Sequence, residues 1–284
     1  VSEESKVDKD FSVTGVLSKL HLSKSGYYNY LHRKPSKQSI SKKERMQAIQ
    51  TIYDDNHQIY GAPKIAKEMQ KKGEKISQRT VGVYMREMGI KACYIKPYVK
   101  TTFDSDFSTK LHNILKRDFS PSKPNEAWCT DITYIFTLEG FVYLTSVMDL
   151  YSRKIIAWTL SKTLEVEEVL KCIEMARKRR KTANPAIIHS DRGVHYTSEL
   201  YKKLTAGLIL SYSKKGTPWD NACIESFHSV IKREWLNRTL IYDYDHAYDL
   251  CFEYIETFYN TIRIHSHCGY ESPNQYENNY YSKH

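Results

Sequence analysis

The sequence lacks any long hydrophobic run. Across its 284 residues there is no stretch of about 18 or more apolar residues that could span a bilayer as a helix. The polar and acidic start, VSEESKVDKDF, contains no apolar segment of the signal-peptide type. These absences exclude a protein anchored by a membrane-spanning helix, and we expect a cytoplasmic one.

Closely spaced cysteine pairs are also missing. The six cysteines are scattered and form no Cys-x-x-Cys motif; they are Cys93, Cys129, Cys172, Cys223, Cys251 and Cys268. A disulfide framework and a four-cysteine zinc site are therefore not indicated, and we expect reduced thiols. The one local group of metal-ligating residue types is His265-Ser266-His267-Cys268, for which polar residues near a chain end are a better interpretation than a metal site.

The basic residues are not concentrated in a single tail of the chain. The net charge of +10 comes from Lys and Arg spread along the whole chain, whereas 40% of the residues are hydrophobic, enough for a large core. A distributed positive charge on a globular protein favours a polyanionic partner. Nucleic acid is the first expectation.

The first part of the chain, residues 1–43, is predicted to be a small basic helical module followed by a linker. Apolar residues recur at helical spacing from Val13 to Leu20, and Ser23 or Ser25 could cap a second short helix. The polar, Ser- and Lys-rich stretch from Ser36 to Lys43 follows a proline and is predicted to be the linker.

Residues 44–93 are predicted to form a helix-turn-helix. A turn at Gly61-Ala62-Pro63 separates two helical patterns, and Ser77 is placed to cap a third helix. The second helix of such a motif lays its first residues in the major groove of DNA. We therefore predict that Gln78 and Arg79 contact bases, with Arg86 on the outward face. The alternative is a solvated helical hairpin with an ordinary basic face.

The segment 94–123 shows no long periodic pattern but is rich in basic and aromatic residues. It is predicted to be a linker that crosses a nucleic-acid surface, where Lys96 and Lys100 would contact phosphates. A solvated run of charges is an equally good interpretation.

The hydrophobic pattern of residues 124–284 differs from that of the preceding segments. Alternating apolar and β-branched residues predict three antiparallel strands, and a mixed pattern of helices and strands follows. The predicted strands are 128–136, 141–150, 154–160, 186–189 and 208–212, and the predicted helices are 164–181, 198–204 and 221–235. The resulting order is β-β-β-α-β-α-β-α, an α/β fold with a mixed five-stranded sheet.

Three acids stand out by their positions in this pattern. Asp131 lies inside the first strand, Asp191 ends the fourth, and Glu225 lies in the last of these helices. Singly, they could pair with an arginine, cap a turn or face solvent. Together, on separate rigid elements, they could hold two Mg²⁺ ions, which prefer oxygen ligands and neutralise the attacking and leaving oxygens of a phosphodiester.

The motifs around these acids resemble a known family. W-x-x-D-I-T-Y at 128–134, H-S-D-R-G-x-x-Y-T-S at 189–198 and S-K-K-G-T-P-W-D-N-A-C-I-E-S-F at 213–227 closely resemble the second-open-reading-frame product of insertion-sequence transposases of the IS-three type. Y-G-A-P-K-I at 60–65 and the stretch 79–90 resemble the helix-turn-helix of that family. The resemblance covers nearly the whole chain.

The resemblance implies a DDE catalytic triad on an RNase H-like integrase core. It assigns Asp131, Asp191 and Glu225 as catalytic and metal-binding residues, with two Mg²⁺ ions per active site and Mn²⁺ as a substitute. Lys232 lies two helical turns after Glu225 and could grip substrate phosphate, or be a solvated lysine. Trp219 and Asn221 match the family's DNA-contacting loop, although Asn221 could be a plain N-cap.

Two further residues near the acids have competing interpretations, and one spacing departs from the family. His189 shares its strand face with Asp191 and could support it by a hydrogen bond or pack in the core. Asp149 is better explained by a turn role than by metal contact. Only 33 residues separate Asp191 from Glu225, two fewer than is typical of the family, and the shortening falls near residues 204–207.

The function implied is a transposase that binds the ends of its insertion sequence and carries out DNA cleavage and strand transfer. The partners would be double-stranded DNA, at the terminal inverted repeats and at the target, and further copies of the chain. An upstream open reading frame product, fused or paired, and association with the bacterial nucleoid are also implied. The alternatives are a nuclease of the same fold that does not join DNA, or a catalytically inactive DNA-binding regulator.

Overall fold

The computed structural model describes residues 12–93, 111–181, 187–214 and 216–283. The chain divides into two compact units between Thr51 and Ile52. In the described ranges, none of the helices is both long enough and apolar enough to cross a membrane.

The described part of the first unit is helical. Helix α1 spans Val13–Lys19 and α2 spans Lys24–Leu31. The Ser12 hydroxyl accepts a hydrogen bond from the Gly15 amide, and the Ser23 hydroxyl accepts one from Gly26. The two short helices predicted here are confirmed, with Ser23 as the cap of the second.

The predicted linker at 36–43 is wrong. A long helix, α3, spans Lys37–Asp55, and the Ser36 hydroxyl accepts from the Ser39 amide at 3.1 Å. Lysine, glutamine and glutamate propagate a helix well, and they give no apolar periodicity that would mark it in the sequence. The serine that suggested a flexible segment is instead placed at the start of the helix.

The two later helices of the predicted helix-turn-helix are confirmed. Helix α4 spans Ala62–Lys71, with proline in its first turn, and α5 spans Gln78–Glu87. The Ser77 hydroxyl accepts from the Thr80 amide at 3.1 Å and caps α5 as predicted. The helices pack through apolar side chains that are all buried, namely Ile65, Ala66, Met69, Val81 and Met85.

The centre of the second unit is a mixed five-stranded sheet. Its strands are β1 (Ala127–Thr137), β2 (Gly140–Asp149), β3 (Ile155–Ser161), β4 (Ile187–Ser190) and β5 (Ile209–Tyr212). The spatial order is β3-β2-β1-β4-β5, with the first three antiparallel and with β4 and β5 parallel to β1. This is the RNase H-like arrangement, and the predicted order of strands and helices is confirmed.

Helices follow and cover the strands. They are α6 (Val166–Arg180), α7 (Val194–Thr197), α8 (Glu199–Leu204), α9 (Ala222–Glu234), α10 (Tyr244–Phe252) and α11 (Pro273–Tyr281). Helix α6 lies on β2 and β3. The predicted inward residues of α6 are buried with Trp128 and Tyr196 of the core; they are Val169, Leu170, Ile173 and Ala176.

The parallel strands β4 and β5 are in continuous register from Ile187 opposite Ile209 to Ser190 opposite Tyr212. A short turn at 205–208 joins α8 to β5, and it contains Gly207 at φ 94°, a conformation that favours glycine. The turn therefore enters β5 at the end of the sheet opposite to Ser190.

After α10 the chain continues as a π-helical segment, Glu253–Tyr259, which buries Tyr254, Ile255, Phe258 and Tyr259. The helices from α10 onward form the C-terminal extension. The extension contacts the sheet through Asn260, whose amide oxygen accepts from the Ile155 amide.

Candidate active site

The register of the sheet brings two of the predicted acids side by side. Cys129 of β1 is paired with His189 of the parallel strand β4. Asp131 and Asp191 each follow two residues later, and neighbouring strands lie about 4.8 Å apart, so the register brings the two acids close together. Asp191 comes directly after the last residue of β4.

The electrostatics of a buried tyrosine agree with this placement. Burial raises the pKa of the Tyr196 phenol, and the negative charges of Asp131 and Asp191 both raise it further. The phenol lies 3.4 Å from the Thr130 hydroxyl, beside Asp131 on β1. The charges of both carboxylates therefore act on the pKa of the same phenol.

The loop after β4 holds the Asp191 carboxylate from the backbone. The Gly193 amide donates to Oδ1 of Asp191 at 2.9 Å. A Cβ atom at position 193 would lie only 3.0 Å from that oxygen, so glycine permits this close approach. Asp191 as a whole residue is half-buried.

Helix α9, which contains the third predicted acid, contacts β1. The Asn221 side-chain amide, at the start of α9, donates to the Thr130 carbonyl at 3.4 Å. One turn later Glu225 is exposed. His228 follows three residues after Glu225, on the same helical face, and its Nδ1 lies 3.3 Å from Oδ2 of Asp131. Helix α9 thus contacts β1 at Asp131 through His228, and Glu225 lies one turn before this contact.

His228 was not found from the sequence. It is buried, and its Nε2 lies 3.3 Å from the Ser146 hydroxyl on β2, so the imidazole links two strands. The sequence feature that could have identified His228 is its position three residues after Glu225, on the same face of the predicted helix. The sequence alone does not say which face of the helix meets β1.

Lys232 lies on the same side of α9. Its Nζ is 4.3 Å from the centroid of the Tyr134 ring, on the exposed part of β1. Burial lowers the pKa of Lys232, while the charge of Asp131 acts in the opposite direction. The ammonium group is therefore within the electrostatic field of the first carboxylate.

The other residues predicted to bind DNA lie in varied environments. Gln78 and Arg79 are exposed in the first turn of α5, and Arg86 is exposed with its Nε donating to the Gly82 carbonyl. Trp219 is 65% exposed in the short 3-10 turn before α9. Lys96 and Lys100 lie outside the described residues.

Asn221 differs from these exposed residues. It is only 2% exposed, and its side-chain amide donates to the Thr130 carbonyl of β1. Its side chain makes no cap hydrogen bond to α9. Its side chain therefore supports the contact between α9 and β1.

His189 and Asp149 have structural partners. His189 is fully buried between the hydroxyls of Ser211 and Ser213, at 2.8 and 3.1 Å, and burial lowers the pKa of its imidazole to about 4. Asp149 accepts the backbone amides of Asn125 and Tyr151 at 2.7 and 2.9 Å, and burial raises its pKa to about 6. His189 is a packed core histidine, and Asp149 organises a turn.

Known transposases resemble the chain over nearly its whole length. The transposase for insertion sequence element IS904 of Lactococcus lactis subsp. lactis (strain IL1403) is 34% identical over 249 residues, covering 87% of this chain and 98% of that protein. Transposase InsF for insertion sequence IS3A of Escherichia coli (strain K12) is 32% identical over 280 residues, covering 96% of each. The chain belongs to the insertion-sequence transposases.

Family models match two regions of this transposase. Two integrase core domain models match residues 121–218 and 206–273, and an HTH-like domain model matches residues 41–98. Among solved structures, the HTLV-2 integrase catalytic core domain in complex with magnesium aligns with a TM-score of 0.42 and 17% identity, covering 55% of this chain and 98% of that one.

The integrase core implies that the transposase uses a divalent metal. Asp131, Asp191 and Glu225 are each partly or fully exposed, and carboxylates are the oxygen donors that a hard cation prefers. In the described ranges, no three side chains of His, Cys, Asp or Glu lie close enough together to hold a metal ion. The donor types fit, and Asp131 and Asp191 are neighbours.

Proposed function

We propose that this transposase cleaves DNA at the ends of its own insertion sequence and joins the freed 3′ hydroxyl to a target phosphodiester. The observation that carries the proposal is the parallel register that pairs Cys129 with His189, two residues before Asp131 and Asp191, together with the contact of the Glu225 helix with Asp131 through His228. Asp131, Asp191 and Glu225 would hold Mg²⁺, for which Mn²⁺ could substitute.

The protein groups have separate roles in this reaction. When bound, two Mg²⁺ ions would neutralise charge on the attacking and leaving oxygens of an in-line displacement. Water attacks the phosphorus at the element end and the bond to the 3′ oxygen breaks, which frees a 3′ hydroxyl. In the second step that hydroxyl attacks a target phosphodiester, and the bond from the target phosphorus to its own 3′ oxygen breaks, so the target strand leaves with a new 3′ hydroxyl. Lys232 would hold the substrate phosphate, and His228 would orient the Asp131 carboxylate.

The remaining partners follow from the reaction. Both ends of one element must reach one target, so we propose that at least two copies of the chain assemble on DNA. The exposed start of α5 would recognise the terminal inverted repeats through Gln78 and Arg79, with Arg86 and Trp219 as further DNA contacts. The chain would work at the nucleoid.

The test uses labelled duplexes that carry the terminal repeats of the element, incubated with the transposase in Mg²⁺. We expect nicked ends followed by joined products, and loss of both when EDTA removes the metal. Cleavage without joined products would support a nuclease instead. End binding without any metal-dependent cleavage would support a regulator and contradict the proposal.

Removing the side chains at the start of α5 should reduce discrimination. We expect Gln78→Ala with Arg79→Ala to weaken binding to element ends by about tenfold or more, because each good base contact contributes about 1–3 kcal/mol of discrimination. Binding to random duplex should change much less, since phosphate contacts supply affinity without sequence preference.

The measurement is titration of both duplexes by fluorescence anisotropy at one fixed salt concentration. Lys178→Ala serves as the control. The Lys178 side chain is 74% exposed on α6, so this substitution removes one positive charge at a position far along the chain from α5. An equal loss on both duplexes would contradict the recognition role of α5.

A further inference from the structure

A cavity of about 770 Å³ lies between the HTH-like segment and the integrase core, within the second unit. Its wall combines Lys64 of α4, Arg153 after β2, Arg233 of α9, and Arg263 and His267 of the C-terminal extension. None of the three proposed catalytic carboxylates lines it. The cavity is therefore distinct from the proposed active site.

The charge of this cavity is strongly positive. Four cationic side chains line it, whereas Glu234 is the one acidic residue of its described lining. Both oxygens of Glu234 accept from Arg263, at 2.6 and 2.7 Å, and Nη2 of Arg233 lies 3.5 Å from the same carboxylate. One carboxylate thus faces four cations, so the wall keeps an excess of positive charge.

Two of the arginines have buried donor atoms without a partner. Arg153 is 8% exposed; its Nη2 donates to the Phe119 carbonyl at 2.8 Å, but its Nη1 has no hydrogen-bond partner among the described residues. Nε of Arg233 is likewise buried and unpartnered in this part of the chain. An unsatisfied buried donor costs about 1–3 kcal/mol, and more when it is charged.

The histidines of the wall do not supply the missing acceptors. Nε2 of His267 faces the Tyr151 carbonyl at 3.1 Å and must donate to it, so Nδ1 accepts from Nη2 of Arg153 at 3.2 Å. Burial, and then the charges of Arg263 and Arg153, lower the pKa of His265 to about 3. Both imidazoles are therefore neutral, and His267 is oriented toward Arg153.

The pKa of Lys64 also reflects the concentration of positive charge in the cavity wall. Burial, and then the charges of Arg263 and Arg233, lower the pKa of Lys64 to about 7, although the charge of Glu234 acts in the opposite direction. A bound anion would oppose each of these effects. The wall thus has free donors and excess charge at one place.

We propose that this cavity binds a phosphate group, with Arg153 and Arg233 as hydrogen-bond donors and Lys64 as a point charge. Guanidinium groups match the geometry of phosphate oxygens, and an ammonium adds charge without a fixed geometry. The phosphate is either that of a free small anion or a phosphodiester of DNA. Because Lys64 belongs to α4 and the arginines to the core, the bound group joins the HTH-like segment to the core.

The experiment measures binding of sodium phosphate to the full chain by calorimetry, with sodium chloride at matched ionic strength as reference. We expect saturable binding and a rise in the unfolding temperature, since a ligand of the folded state stabilises it. Lys64→Gln with Arg233→Gln should weaken phosphate binding by at least tenfold. Arg153 is left in place because it also donates to Phe119.

Lys75→Gln is the matched control, since it removes one positive charge from an exposed position of the HTH-like segment outside the cavity wall. It should leave phosphate binding unchanged. No saturable binding to the wild-type chain would overturn the proposal, whatever the folding of the variants. Equal binding by the folded double variant would overturn it as well.

A second arm distinguishes the two sources of phosphate. If DNA occupies the cavity, phosphate should compete with duplex, and the double variant should lower the salt slope of duplex binding by about 0.9 for each DNA phosphate that it no longer neutralises. If the ligand is a free anion, duplex binding should be unaffected by the variant. Either result supports the phosphate site, and neither readout depends on DNA cleavage.

Discussion

Asp191→Asn is expected to reduce DNA cleavage and strand transfer together by orders of magnitude while the protein remains folded. The asparagine keeps an oxygen that can accept from the Gly193 amide, so the loop after β4 is retained. It removes the negative charge that the divalent metal requires. Residues that act as a unit fail together, so Asp131→Asn and Glu225→Gln should give the same phenotype.

The measurements are cleavage and joining of labelled oligonucleotides, Mn²⁺ binding by calorimetry, and circular dichroism for the fold. Binding to element ends should be nearly unchanged, because α5 carries no catalytic carboxylate. Asp149→Asn is the control: it should keep most of the activity but lose about 1–3 kcal/mol of stability, since a buried acceptor of two backbone amides loses its charge. A folded, fully active Asp191→Asn protein would show that the catalytic assignment is wrong.

Glu234→Gln is expected to lower the free energy of unfolding by about 3–5 kcal/mol. Glu234 and Arg263 are 3% and 7% exposed, and Tyr254 donates to the same carboxylate at 2.7 Å. Burial alone would raise the pKa of Glu234, but the hydrogen bonds and charge of Arg263 lower it. Glutamine keeps the shape and leaves the guanidinium buried without a counter-charge.

Urea unfolding followed by fluorescence gives this free energy, and thermal unfolding should show a fall on the order of 10 °C for a unit of this size. Glu199→Gln is the matched control. Its carboxylate is 90% exposed and pairs with Lys202 at 2.7 Å, so its loss should cost less than about 0.5 kcal/mol. Equal effects of the two variants would show that burial does not set the contribution of the Glu234–Arg263 pair.

The sheet could be predicted because each strand carries a local pattern. The alternation from Trp128 to Phe136 and the short apolar run before Asp191 fix the strands to within one or two residues. Helix α3 shows the opposite case, since its first turns are polar and only the Ser36 hydroxyl marks their start. Composition suggested a linker where propensity favoured a helix.

The contacts between distant segments could not be predicted in this way. The Asp131–His228 contact depends on which face of α9 meets β1, and no local pattern records that choice. The phosphate cavity is harder still, because Lys64, Arg153 and Arg233 are each ordinary basic residues in the sequence. They form a candidate anion site only because the fold brings them to one cavity wall and buries donor atoms of the two arginines.

The turn between α8 and β5 bears on how copies of such elements diverge. The connection enters β5 beside Ile209, whereas Asp191 follows the opposite end of β4, and the register between the strands is unbroken. A codon deleted or inserted at 205–208 therefore changes the count of residues between the second and third acids without displacing either one. We therefore expect the interval between Asp191 and Glu225 to tolerate a change of length at this turn, provided that the pairing of β4 with β5 is kept.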